Sequence, residues 1–230
     1  MVRRGTTKQP ELVGEKERDL ILREFERART DVIWWFENWC FTWDPHDRQH
    51  GRKPYPSYKQ APWLYKLIET LHTENRILVP KSRQMMISWT VCADLLWDTQ
   101  FHQQTRTFMT SKKEKDAGKL VDRCKFIYRA QPVPREFLPT VPHFGAEIGN
   151  KLELPFPDIN SIIEGLSQGS EAIRMETASN VFSDEMAFQD KAEEDFRACM
   201  PTLGDKGRYI GVSSANLKNF FWRMCYDKVE

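Results

Sequence analysis

The segment Lys81-Ser82-Arg83-Gln84-Met85-Met86-Ile87-Ser88 lies between a short apolar run, residues 76–79, and a helical pattern that follows it. A cradle for phosphate needs backbone N–H groups at a helix N-terminus, a cation, and a hydroxyl for Mg²⁺. Lys81 and Arg83 are the cations here, and Ser88 is the hydroxyl. Against the pattern GxxxxGK[ST] the spacing fits, while the residues depart from it. Lys81 occupies the first glycine slot, Met86 the second, and Ile87 the slot of the usual lysine. A basic strand-to-helix turn with no ligand accounts for the same residues, so this segment alone leaves both readings open.

A second candidate is Val181-Phe182-Ser183-Asp184-Glu185, an apolar strand pattern that ends in two acids. In enzymes that hydrolyse nucleoside triphosphates, one such acid serves Mg²⁺ and another polarises the attacking water. Side chains alternate in direction along a strand, so adjacent acids can face two targets. An acidic cap for the next helix is the plain alternative. The interval from Ser88 to Asp184 favours the paired reading, because it leaves room for an intervening α/β unit. A third apolar run, residues 208–212, ends in Ser213-Ser214-Ala215. Hydroxyls there can sense the γ-phosphate and relay its loss; a helix N-cap explains them equally well. Upstream, Tyr58-Lys59-Gln60 precedes the helix that leads into the first strand. The Gln60 carboxamide can pair with both a donor and an acceptor on adenine, although a surface glutamine is the commoner role.

These candidates need elements to position them. Leu20, Ile21, Phe25, Val32, Trp35, Phe36 and Trp39 recur at helical spacing and predict a first helix over residues 15–43. That spacing favours a packing role for Trp34, Trp35, Trp39 and Trp43, in the core or in a lid, over a platform for DNA bases. Residues 44–58, rich in Pro, Gly and charge, read as a loop. After Pro62 a second helix carries Leu64, Leu67, Ile68 and Leu71 on one face. Short strands are predicted at 76–79, 106–109, 180–183 and 208–212, with a hairpin or paired strands at 152–156 and 161–166. Helices are predicted at 88–101, 112–129 and 191–200, and a final one from near Leu217 to the end of the chain. Residues 1–12 are polar and basic, and fraying is expected there. Alternating strands and helices imply an α/β fold: a mainly parallel central sheet flanked by helices. In such sheets ligands bind at the carboxyl ends of the strands, where all three polar segments fall.

Composition narrows the classes. The 230 residues are 40% apolar and 29% charged, as in a folded globular chain long enough for a substantial core. Lys+Arg at 34 against Asp+Glu at 33 gives a net charge of +1, which creates no overall pull towards nucleic acid and little drive towards self-association. The five cysteines are scattered and never in CxxC spacing, and the five histidines lack metal-site pairing. No apolar run approaches the roughly 20 residues of a membrane span, and no signal-peptide pattern is present. Disulfide scaffolds, zinc sites, membrane proteins and secreted proteins are therefore set aside.

Taken in order, Tyr58-Lys59-Gln60, the deviant loop Lys81-Ser82-Arg83-Gln84, Asp184-Glu185 and Ser213-Ser214-Ala215 resemble the ATPase half of the large terminase subunit, the DNA-packaging motor of tailed phages and related viruses. The resemblance runs from about Tyr55 to Asn216, and its specificity lies in the combination. It implies a P-loop NTPase fold of the ASCE type over 55–230, preceded by a helical or lid segment over 1–54. ATP and Mg²⁺ are the implied cofactors. Lys81 would be a displaced phosphate-binding lysine and Arg83 a second cation, within a nucleotide-binding stretch of Lys81, Ser82, Arg83, Gln84, Met85, Met86, Ile87 and Ser88, with Gln60 at the base. Ser88 and Asp184 would serve Mg²⁺, Glu185 would be the catalytic carboxylate, and Ser213, Ser214 and Ala215 would form the coupling motif. Arg174, a little upstream of the acids, matches the position of a finger into a neighbouring subunit, with Met175 in place of the usual glycine.

The same resemblance implies double-stranded DNA, a portal protein and a small terminase subunit as partners. It implies a homo-oligomeric ring on the procapsid built from units that are monomeric in isolation, no membrane, and the cytoplasm of an infected bacterium. Family members add a C-terminal nuclease with its own carboxylate cluster. This chain ends before that region, so DNA cleavage is not expected of it. Two alternatives are a helicase-like ATPase acting outside virus assembly and a non-catalytic nucleic-acid-binding module with a decayed phosphate loop. A nuclease using Asp184 and Glu185 directly ranks last, for want of further acids at strand ends.

Overall fold

The computed structural model describes residues 14–43, 51–144 and 147–227. The expected fraying of residues 1–12 lies outside them. Asp31 splits the helix expected over 15–43. Its backbone is extended, with φ −126°, and its carboxylate accepts a hydrogen bond from the Trp34 N–H at 2.9 Å. One helix therefore stops and another is capped: α1 (Glu15–Thr30) and α2 (Val32–Asn38). The pattern then turns to strand, since β1 (Phe41–Thr42) pairs antiparallel with β2 (Lys53–Pro54). The expected loop over 44–58 thus contains a strand, and its residues 44–50 lie outside the described ones.

The rest alternates as the periodicity predicts. Helix α3 (Pro62–Thr73) buries Leu64, Leu67, Ile68 and Leu71. It is followed by β3 (Arg76–Pro80), α4 (Ile87–Phe101), β4 (Arg106–Thr110) and α5 (Glu114–Ala130). A small pair, β5 (His143–Phe144) and β6 (Glu147–Ile148), precedes the predicted hairpin of β7 (Glu153–Phe156) and β8 (Ser161–Leu166). The chain continues through α6 (Ala172–Met175), β9 (Asn180–Asp184), α7 (Ala192–Leu203), β10 (Arg208–Ser213) and α8 (Phe220–Tyr226). The last helix starts later than Leu217 because Asn219 caps it, accepting from the Trp222 N–H at 3.2 Å. It ends at Tyr226, before residues 228–230, which lie outside the described ones.

Six strands form one sheet in the order β3-β10-β9-β4-β8-β7, parallel except for the β7–β8 hairpin. Strand alternation sorts its two faces. Met109, Phe182, Ile210 and Val212 pack with Trp35, Leu64, Val91, Leu95 and Ile127 from the helices between α2 and α5. Phe108, Val181 and Tyr209 pack with Ile173, Cys199 and Phe221 from α6, α7 and α8. The result is a sheet between two helical layers. Full burial of a side chain such as Phe182 stabilises by about 1.5–3 kcal/mol. The same parity sends Asp184 to the α4 side with Phe182, and Ser183 to the other.

At the amino end of the strands the sheet is locked by charge. Arg208 reaches Asp94 at 2.9 Å and Asp98 at 3.2 Å on α4, and Asn180 donates to Asp98 at 2.8 Å. Burial pushes the Asp98 carboxyl up, but the His102 hydrogen bond, the Arg208 charge and Asn180 outweigh it and hold it at about 2. Asp94 is fully buried, so an unpaired charge at this locus would cost about 3–5 kcal/mol. The amino edge is thereby fixed, and the carboxyl edge carries the polar loops.

Candidate functional site

The chain leaves β3 at Pro80 and turns at once: the Lys81 N–H donates to the Ser213 carbonyl at 2.9 Å. Before α4 begins it passes twice through the left-handed region, at Gln84 (φ 61°) and Met86 (φ 58°). Met86 stands in the second glycine slot and keeps the backbone that a glycine would supply, at a cost of about 1–2 kcal/mol for an L side chain. Ile87, in the lysine slot, is 6% exposed and packed in the core. An apolar core side chain thus fills that position. Flanking residues brace the loop: the Trp63 indole N–H donates to the Met85 carbonyl at 3.4 Å, and the Tyr55 and Thr90 hydroxyls lie 2.8 Å apart.

Where β9 ends, Asp184 meets the first turn of α4. The Ser88 hydroxyl donates to Asp184 Oδ1 at 2.8 Å. Burial, with the Glu185 charge adding to it, raises the Asp184 carboxyl above its ordinary value, against the Ser88 hydrogen bond and the charges of Arg123 and Lys81. Glu185 follows in the left-handed region at φ 53°, a strained conformation for a glutamate. Its carboxylate lies 3.5 Å from the Lys81 ammonium. Gln189 fixes the turn beyond, donating to the Ser183 hydroxyl at 2.9 Å and to the Asp184 carbonyl at 2.8 Å.

Ser213 ties these parts together. Its carbonyl holds Lys81, as above, and its hydroxyl accepts from the Ala187 N–H at 3.0 Å. Asn216 and Asn219 both donate to the Ala187 carbonyl, at 2.9 and 2.6 Å. The end of β10 is therefore bonded both to the basic loop and to the turn after the acids. Ser214 is half-buried and Ala215 exposed.

A cleft of about 390 Å³ opens over the carboxyl edge. Of the sequence candidates, Lys81, Arg83, Gln84, Asp184 and Glu185 line it, whereas Gln60, Ser88 and Ser213 do not; Ser111, Lys112, Asp116, Lys119 and Arg123 line it as well. The second group comes from the turn after β4 and from α5, and sequence reasoning missed it. Its signal was Thr110-Ser111-Lys112-Lys113, another polar turn at a parallel strand end. Gln60 lies in a turn where its carboxamide oxygen accepts from the Ser57 N–H at 2.9 Å and from the Ser57 hydroxyl at 3.1 Å. Arg174 is on α6, away from the cleft lining, in an exposed ion pair with Glu194 of α7. Among the described residues no group of three or more His, Cys, Asp or Glu could enclose a metal. One hydroxyl and one carboxylate in contact is a donor set suited to Mg²⁺, which takes its remaining ligands from phosphate oxygens and water.

No known family model matches the chain, and no curated protein sequence does. Solved structures do resemble it. The large terminase of bacteriophage HK97 superposes with a TM-score of 0.60 at 14% identity, over 80% of this chain and 37% of that one. The large terminase ATPase domain of Thermus phage P74-26 gives a TM-score of 0.44 at 15% identity, over 73% of each chain. For the large terminase of another thermophilic bacteriophage, crystallised in complex with ADP, the values are 0.49 and 12%, over 65% of this chain and 37% of that one. The chain thus spans little more than a third of the HK97 protein, and with it shares its fold.

Proposed function

We propose that this chain is the ATP-hydrolysing motor domain of a viral large terminase, powering the translocation of double-stranded DNA into a procapsid. The observation that carries the reading is the contact of Ser88 with Asp184, beside Lys81 and Glu185, at the carboxyl edge of a sheet shared with the HK97 large terminase. Lys81 holds the phosphates from the start of the loop, because the usual lysine slot is filled by buried Ile87, and Arg83 adds a second cation at the rim. Ser88 and Asp184 hold Mg²⁺, which when bound screens the phosphate charge. Glu185 orients the attacking water once phosphate draws Lys81 away from it. Loss of the γ-phosphate is felt at Lys81 and passed through Ser213 to the Ala187 turn, with Ser214 and Ala215 extending the coupling segment. Gln60 would read the adenine, which requires its carboxamide to leave Ser57.

In this reading residues 55–230 form the ATPase domain and 1–54 its helical segment, and the unit works in a ring on the procapsid with portal protein and small terminase subunit, in the cytoplasm of the infected bacterium. Arg174, exposed on α6, serves the site of the next subunit. The test is Mg²⁺-dependent ATP turnover by the purified chain with double- or single-stranded DNA added. Stimulation by the duplex is expected. Stimulation by single strands alone would point to a helicase-like enzyme, and binding of DNA without turnover to a module that has lost catalysis.

A further inference from the structure

Arg123, on α5, plays no part in the scheme above, yet it lines the cleft together with Asp184 and Glu185. Its guanidinium lies 5.5 Å over the ring of Trp89, the residue next to Ser88 on α4. Trp89 is itself held edge-on by Phe126 at 6.0 Å. The stack fixes the fork in place. One of its nitrogens, Nη1, is sealed from solvent and has no hydrogen-bond partner among the described residues. Nearby cations differ: Lys119 pairs with Asp116 at 2.7 Å, and Lys81 faces Glu185 at 3.5 Å. A buried donor on a charged group is rarely left without an acceptor, and each such case calls for a reason. A rigid guanidinium with an unpartnered donor is suited to recognising phosphate.

We propose that Arg123 is a phosphate ligand acting within its own subunit, donating to an oxygen of the terminal phosphate of the bound nucleotide. The assignment to the terminal phosphate follows from its neighbours, because Arg123 shares the cleft lining with Asp184 and Glu185, the acids proposed to serve the metal and the water. This inference rests on the nucleotide reading of the site. It divides the arginines: Arg123 completes the site from inside the subunit, and Arg174 acts from outside.

The experiment is calorimetric binding of a non-hydrolysable ATP analogue and of ADP, each with Mg²⁺, to the unmodified chain and to Arg123→Gln and Arg123→Lys. Affinity for the triphosphate should fall about ten- to hundred-fold in Arg123→Gln, the weight of one charged hydrogen bond. ADP affinity and the melting temperature should stay nearly unchanged, and Arg123→Lys should restore part of the loss. Equal weakening of both nucleotides, or none of either, would overturn the proposal while leaving the nucleotide reading intact. If the unmodified chain bound neither nucleotide, the reading of the site itself would fall, and the role of Arg123 with it.

Discussion

Ser88 and Asp184 stand 96 positions apart in the chain and share a hydrogen bond of 2.8 Å. Two features of the fold bring them together: β9 parity turns Asp184 towards the α4 layer, and the loop after β3 delivers Ser88 in the first turn of α4. A buried carboxylate with one hydroxyl donor is incompletely solvated, which is a state a metal relieves.

Asp184 gives a pH prediction. Burial raises its carboxyl above the ordinary value, so the folded chain binds this proton more tightly than the unfolded chain does. Stability from this group is therefore lost as pH rises from the ordinary aspartate value through the raised one. Asp184→Asn keeps an acceptor for Ser88 and removes the charge. Without nucleotide it should melt above the parent at pH 8, with the gap closing towards pH 4, while Mg²⁺-dependent turnover disappears. A variant less stable than the parent at pH 8 would show that the carboxylate is not the strained group.

In the proposed site Lys81 supplies the phosphate cation, while Ile87, in the usual lysine slot, packs in the core. Lys81→Ala should abolish ATP turnover and weaken nucleotide binding, with little change in melting temperature. Ile87→Ala should cost about 2–5 kcal/mol of stability, as for a buried large-to-small change, and leave nucleotide affinity intact in the folded fraction. Denaturant unfolding and nucleotide titration of both variants check this. The reverse pattern would place the phosphate cation at the wrong end of the loop.

The loop also carries removable strain. Gln84 is exposed and has φ 61°, so Gln84→Gly relieves a left-handed residue at little packing cost. The variant should be more stable by about 1 kcal/mol, the usual penalty for an L residue there. A loss of stability in urea would mean that the side chain holds the loop by a contact worth more than the strain.

Much of this was legible in the sequence, for definable reasons. Strands as apolar as Val181-Phe182 and Tyr209-Ile210 are buried on both faces and read as strands without tertiary information. The polar residues at their ends then mark the carboxyl edge. The break at Asp31 was not visible, because Trp34 to Trp39 continue the helical spacing across it and only the backbone at Asp31 shows the cap. Arg123 was hidden for a related reason: on α5 it looks like any arginine on an amphipathic helix, and only packing on Trp89 directs it to the cleft. Met86 and Ile87 counted as departures from the motif in sequence. In the structure one keeps the glycine backbone and the other joins the core.

The role proposed for Arg174 depends on assembly. A finger arginine supplied by a neighbour is worth roughly 10³–10⁵ in turnover in related phosphoryl-transfer enzymes. Arg174→Ala subunits keep an intact site without a finger, and Glu185→Gln subunits keep the finger with a dead site. Mixing them where the parent assembles should restore part of the turnover, and activity of the parent should rise more than linearly with protein concentration. A mixture as inactive as either variant alone would leave Arg174 with only its contact to Glu194.

The central claim, that the cleft hydrolyses ATP with Glu185 orienting the water, is tested most directly by Glu185→Gln. The substitution preserves size and hydrogen bonding and removes the negative charge. Turnover per site, measured at saturating ATP and Mg²⁺, should fall by about 10²–10⁴, the weight of a positioned base, while ATP affinity stays within a few-fold of the parent. Unchanged turnover in the variant would contradict the account.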